Sequence, residues 1–184
     1  MIMKILVVVD MQNDFIEGPL GTPEAVAIVD DVMKRIEDST NELILFTKDT
    51  HQEDYLETPE GKKLPVVHCI EGTTGWETNK KILQAWKDNK STVRLTQLEN
   101  NTFNKPVFGS VDLVDFLTSY SEPIEEIELL GVCTDICVIS NAIMIKNTLP
   151  HVKISVNEKC CAGVTPQSHQ EAINVMSMCQ IDIK

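Results

Sequence analysis

A three-layer α/β fold, with a doubly wound, mostly parallel sheet covered by helices on both faces, is predicted for this chain by two observations. Apolar runs of strand length alternate along the sequence with segments of helical periodicity. The first run, Lys4 to Val9, is apolar without alternation, as a strand covered on both sides must be. The size of the chain, 184 residues with 42% hydrophobic content, suits one core, so residues 1–184 are expected to form a single domain. There is no internal repeat, linker or low-complexity stretch to divide it.

The elements follow in order. After the first strand, Thr22-Pro23-Glu24 reads as a helix N-cap with proline at the first helical position, and Val29, Val32, Met33 and Ile36 recur at helical spacing behind it. Glu42 to Thr47 is the second strand. Ile82, Leu83 and Trp86 mark a short helix, and Thr92 to Leu95 a third strand. Ser110 can cap a helix with an inner face of Leu113, Phe116, Leu117 and Tyr120. Ile127 to Val132 is the fourth strand, followed by a helix from about Thr134, its expected N-cap, to Leu149. Val152 to Val156 is the fifth strand. Ala172, Val175, Met176 and Cys179 mark the last helix.

Sheets of this kind bind ligands beyond the carboxyl ends of their strands. Polar residues stand there in number: Asp10 in "VVVDMQNDF", Asp49 and His51 in "LFTKDTH", Lys105 in "NNTFNKPVFGS", and the cysteines of "CTDIC". One such residue merely ends a strand, but four groups brought to one edge make a site. The sequence has no GxGxxG after the first strand and no GxxxxGK[ST], so the phosphate cradles of dinucleotide and P-loop proteins are missing. From His51 to Trp76 no convincing helix or strand is visible. That long connection carries His51, Glu60, His68 and Cys69 but few apolar residues, and a bound metal would order it.

A net charge of −12 argues against nucleic acid and anionic membranes as partners. No stretch has the length of a membrane span. The apolar run at Ile5–Val9 is too short for a signal peptide, so a cytoplasmic location is expected. The six cysteines include no CxxC pair and are expected to be thiols. Cys160, Cys161 and Cys179 read as small packing residues. Cys137 falls near the start of its helix, where free N–H groups and the helix dipole favour a thiolate, so it is expected to be a nucleophile of lowered pKa. Cys133, at the strand's exit, reads as packing.

"VDMQNDF", a lysine after the third strand and "GVCTDICV" together resemble the isochorismatase-like cysteine hydrolases, over nearly the whole chain. The resemblance implies a Rossmann-like core of isochorismatase type and a catalytic triad of Asp10, Lys105 and Cys137. It also implies a cis peptide at Val132–Cys133, with the backbone N–H groups of Cys133 and Cys137 as oxyanion donors. Isochorismatases proper lack the cysteine that matches Cys137. Its presence points to the amide-cleaving branch: nicotinamidases, N-carbamoylsarcosine amidases and ureidoacrylate amidohydrolases. The metal of nicotinamidases would fall on Asp49, His51 and His68, with Glu60 as the fourth ligand and zinc the expected ion. Departures surround the pocket: the usual Pro-Pro-His is Val-Val-His, an aromatic before it is replaced by Leu64 or Pro65, and the segment after Lys105 is short. Phe15 and Phe108 are candidates to sandwich a flat ring or, equally, ordinary core aromatics. The resulting expectation is hydrolysis of a small carboxamide substrate with release of ammonia, nicotinamide to nicotinate first among the options, by a homo-oligomer. A metal-free amidase of carbamoyl or ureido compounds, or a non-catalytic binding protein on the same scaffold, are the alternatives.

Overall fold

The computed structural model describes residues 3–89 and 98–184. Six strands form one sheet: β1 (Met3–Val9), β2 (Glu42–Asp49), β3 (Thr102–Lys105), β4 (Ile124–Val132), β5 (Lys153–Ala162) and β6 (Asp182–Ile183). Their order is β3-β2-β1-β4-β5-β6 and every pairing is parallel. The helices are α1 (Asn13–Ile16), α2 (Pro23–Ala27), α3 (Val29–Glu37), α4 (Pro59–Lys63), α5 (Lys80–Asp88), α6 (Val111–Ser119), α7 (Ile139–Thr148) and α8 (Pro166–Met178). This is the expected doubly wound α/β fold.

The central strand is the most apolar because both of its faces are covered. Leu6 to Val9 of β1 are each fully buried. Helix α3 puts Val29, Val32 and Ile36 on its inner face and packs against α5, while Asp30 and Asp31 stay outside. Burying those three side chains contributes roughly 1.5–3 kcal/mol each before entropic costs. The Thr22 hydroxyl accepts the Ala25 N–H and Pro23 opens α2, as the sequence suggests, and Ser110 caps α6 through Leu113.

Several expectations need correction. Thr92 to Leu95 lie outside the described residues; the strand beside β2 is Thr102–Lys105, so Lys105 is the last residue of a strand, not a loop residue. The helix after β4 does not begin with a Thr134 cap. Thr134–Val138 form a π-turn with Cys133 as N-cap, and Thr134 Oγ1 instead bonds His169 Nδ1 at 2.8 Å. In α8 the inner face is Ala172, Ile173 and Met176, whereas Val175 and Cys179 are exposed, so Cys179 is not a packing residue. β6 is too short for its sequence pattern to announce it.

The strand order reverses between β1 and β4, and a crevice opens beyond their carboxyl ends. Asp10 follows β1 and Cys133 follows β4, one on each side of this switch point. The strands come close just there: Gly131 has φ +122°, and a Cβ on it would run into the Val9 carbonyl.

Candidate active site

Three strand ends and one turn supply the centre. Asp10, with a left-handed backbone (φ 47°), stands where β1 turns away. Its Oδ1 accepts a hydrogen bond from the Thr47 hydroxyl at 2.7 Å, and its Oδ2 lies 2.7 Å from Lys105 Nζ. Lys105 Nζ also reaches Cys137 Sγ at 3.4 Å and Asp49 Oδ1 at 3.4 Å. All five side chains are buried. The sequence candidates Asp10, Lys105 and Cys137 are thus brought together, although more than half of the chain separates the first from the last.

The protonation of this group differs from expectation. Burial pushes the Cys137 thiol well up, and the neighbouring Asp10 carboxylate pushes it further; the Lys105 charge only partly offsets them. Burial likewise raises the Asp10 carboxyl, against the pull of Lys105. Desolvation therefore outweighs the helix-end effect anticipated for Cys137, because the thiol is fully enclosed. For Lys105, burial works against the charged form, but the carboxylates of Asp10 and Asp49 hold it charged.

The peptide between Val132 and Cys133 is cis. In the π-turn that follows, the Cys133 carbonyl accepts the N–H groups of both Ile136 and Val138 and passes over that of Cys137. Asp135 and Thr134 anchor the turn from outside: the Asp135 carboxylate accepts the Val164 N–H, and Thr134 holds His169. Cys133 is half-buried beside this turn, and its thiol is pushed up to about 12, chiefly by burial. Cys160 and Cys161 are buried packing thiols, as expected.

A second cluster adjoins the first. Asp49 Oδ2 lies 3.0 Å from His51 Nε2 and 3.4 Å from His68 Nε2. His68 Nδ1 is 2.7 Å from the Val66 carbonyl, which places the Nδ1 proton there and leaves Nε2 free to act as a ligand. His51 Nε2 is buried without an aligned hydrogen-bond partner. Asp49, His51 and His68 offer ligand atoms all within 4.8 Å of one another. Glu60 stands beside this trio, not within it; its Oε1 is 4.0 Å from His51 Nε2, and its carboxyl is raised by burial and by Asp49. Asp10, Asp49 and Glu60 face one ammonium, formally an excess of two negative charges, which one divalent cation would cancel. Oxygen and imidazole donors, an orphaned ring nitrogen and this charge balance all fit a divalent metal.

Tyr55 was not singled out from the sequence. It is fully buried, with its ring 4.5 Å from that of His51 and 4.9 Å from that of His68, and so fixes both imidazoles. A tyrosine four residues after a histidine was the available signal.

A cavity of about 300 Å³ opens between the two clusters, with Asp49 and His68 on one wall and Cys133 and Cys137 on another. Phe15 and Phe108 both line it. Phe15 is buried and meets His68 edge-on at 5.6 Å, while Phe108 is 46% exposed. Leu20, Leu64, Ile136 and Val164 complete the apolar lining. Among the described residues no helix is long and apolar enough to cross a membrane.

The sequence model of the isochorismatase domain matches residues 4–183. The chain belongs to the isochorismatase family. By that membership it is a hydrolase. A curated relative, an uncharacterised isochorismatase family protein PncA of Bacillus subtilis (strain 168), is 27% identical over 93% of this chain and 92% of its own length. Among solved structures, the pyrazinamidase/nicotinamidase of Streptococcus mutans superposes with a TM-score of 0.81 at 26% identity, covering 98% of this chain and 99% of that one. The pyrazinamidase of Pyrococcus horikoshii in complex with zinc shares the fold, with a TM-score of 0.76 at 23% identity and 98% of each chain covered.

Proposed function

We propose that this hydrolase cleaves a small carboxamide to its carboxylate and ammonia through a covalent thioester on Cys137, with nicotinamide as substrate and nicotinate as product. The observation that carries the reading is that Cys137, on the wall of a cavity sized for one small ring, touches Lys105, which in turn holds Asp10. Structural relatives that are nicotinamidases, among them those of Streptococcus mutans and Bacillus subtilis, favour the same substrate.

The raised thiol and the raised carboxyl together set the first step. At rest the pair shares one proton, since burial resists two negative charges side by side. When the substrate carbonyl arrives, Asp10 takes the thiol proton and the sulfur attacks the carbonyl carbon. Lys105 keeps its ammonium against Asp10 throughout, so the proton moves within a neutralised group. Charge developing on the carbonyl oxygen is received by the backbone N–H groups of Cys133 and Cys137. Asp10 then gives its proton to the departing nitrogen, the C–N bond breaks and ammonia leaves. Water enters, Asp10 takes one of its protons, and the hydroxide attacks the thioester. The C–S bond breaks, Asp10 returns its proton to the thiol, and the acid leaves as carboxylate, its proton going to solvent or the released ammonia. Asp49, His51 and His68, with Glu60 at the edge, would hold a divalent metal, zinc by the donor set. When bound, it supplies a Lewis-acidic position for a ring nitrogen. Phe15 and Phe108 confine the ring between apolar surfaces.

The test is ammonia release from a panel of amides, with added zinc and with chelator. Nicotinamide turned over with metal and weakly with chelator is the expected result. Turnover of carbamoyl or ureido compounds alone, undiminished by chelator, would move the reading to a metal-free amidase. Binding of amides with no ammonia from any of them would make the protein a binding module.

A further inference from the structure

β1 stops one step short of what β2 needs. Val9 is the last residue of β1 in register with β2, opposite Thr47, and the Asp10 N–H closes the ladder on the Thr47 carbonyl. β2 continues to Asp49, and its edge there has no β1 residue facing it. The Gln12 side chain fills the gap. Its Oε1 accepts the Asp49 N–H at 2.8 Å, and its Nε2 donates to the Asp49 carbonyl at 2.8 Å. The second Nε2 proton goes to the Trp76 carbonyl at 2.9 Å. Gln12 is fully buried, and its own N–H returns to the Asp10 carbonyl in the same turn. One amide thus plays the part of a strand residue and clamps the backbone of Asp49 on both sides.

That clamp sits under a carboxylate with divided duties. Asp49 Oδ1 faces Lys105, and Oδ2 faces both imidazoles. A small twist of the Asp49 backbone would carry Oδ2 away from the histidines. We propose that Gln12 is a positioning residue for the metal cluster: it acts through the Asp49 backbone to hold that ligand in place, and it has no role in the thiol chemistry. The proposal rests on the metal reading above and goes beyond it by assigning a residue outside the ligand set.

The test compares Gln12→Met, similar in shape but without hydrogen bonds, with Asn89→Leu. Asn89 is also a buried amide, donating to the Ile36 and Ser39 carbonyls at the end of α3. Four quantities are measured on the full chain: zinc affinity by chelator competition, the visible bands of bound cobalt(II), the rate at which iodoacetamide alkylates Cys137 without metal, and melting temperature. Q12M is expected to weaken zinc binding about 10–100-fold, the usual reach of a residue that orients a ligand, and to shift the cobalt bands. Its Cys137 alkylation should match the parent. N89L should melt earlier with zinc affinity and cobalt bands unchanged. If Q12M does not fold, Gln12→Glu, which keeps the acceptor and loses both donors, is read in the same way. Parent-like affinity and bands in the Gln12 variant would overturn the proposal, as would a thiol rate that falls in step with metal binding. A parent chain that binds neither zinc nor cobalt would overturn it too, while ammonia release from that metal-free chain would leave the amidase reading standing.

Discussion

The same sheet buries charge at both ends, and the two ends treat it differently. Near the amino ends of the strands, Glu126 and Glu128 of β4 meet Lys184 at 2.7 and 2.6 Å. Arg35 joins Glu128 to Glu42 through contacts of 2.7 and 2.9 Å, and Ser155 donates to Glu126. There burial alone would raise the two β4 carboxyls, but hydrogen bonds from Lys184, Ser155 and Arg35 hold them down, Glu126 to about 2. At the carboxyl ends, Asp10 and Glu60 are raised, the Cys137 thiol is raised, and His51 Nε2 has no aligned partner. A charge group saturated with partners locks a fold. One with a reluctant acid, a protonated thiol and an orphaned nitrogen is built to receive something.

That contrast can be broken, and the largest effects should come from the carboxyl end. Cys137→Ala removes the attacking sulfur and should lower kcat for amide turnover by about 10⁴-fold or more. Cys133→Ala keeps the backbone N–H and should retain much of the activity, so equal losses from both, with folding intact, would undo the assignment. Asp10→Asn preserves shape but removes the base; a fall of roughly 10²–10⁴-fold is expected from ammonia assays. Next comes the metal cluster. His51→Ala deletes the orphaned nitrogen, and metal content by elemental analysis should drop well below the parent's, with Glu60→Gln the milder change because Glu60 lies outside the tight trio.

The amino-end cluster should answer in stability alone. Arg35→Met should cost about 1–3 kcal/mol, between a screened surface pair and a fully buried one, with kcat unchanged. Its pH behaviour follows from sign. The Glu126 carboxyl is depressed, so its stabilising contribution is complete above the ordinary glutamate value of 4.5 and is lost as pH falls toward about 2. Acid unfolding of Glu126→Gln should therefore be flatter across that window than the parent's. A parallel loss of amide turnover in Arg35→Met at neutral pH would blur the distinction between the two ends.

Much of the fold was legible because the strands are central and apolar, and because Thr22, Pro23 and Ser110 announce their helices. The convergence of Asp10, Asp49, His51, Lys105 and Cys137 was legible from where strands end. What the sequence concealed depends on tertiary surroundings. Burial reversed the expected direction for the Cys137 thiol, and no local pattern reports how enclosed a helix start will be. The π-turn at Thr134–Val138 follows from outside anchors, His169 and the Val164 N–H, which are distant in sequence. Gln12 and Tyr55 look like ordinary polar and aromatic residues until Asp49 and the two imidazoles are placed against them. The short β6 owes its existence to the edge of β5 and not to a pattern of its own.

The central claim is that amide cleavage passes through an acyl group on Cys137, and partitioning tests it most directly. Nicotinamide and methyl nicotinate are each turned over in the presence of hydroxylamine, and the ratio of hydroxamate to nicotinate is measured. A shared thioester forgets its leaving group, so the account predicts the same ratio from amide and ester, and neither product from Cys137→Ala. A ratio that differs between the two substrates would mean that water reaches the amide without a common intermediate, and would contradict the thioester.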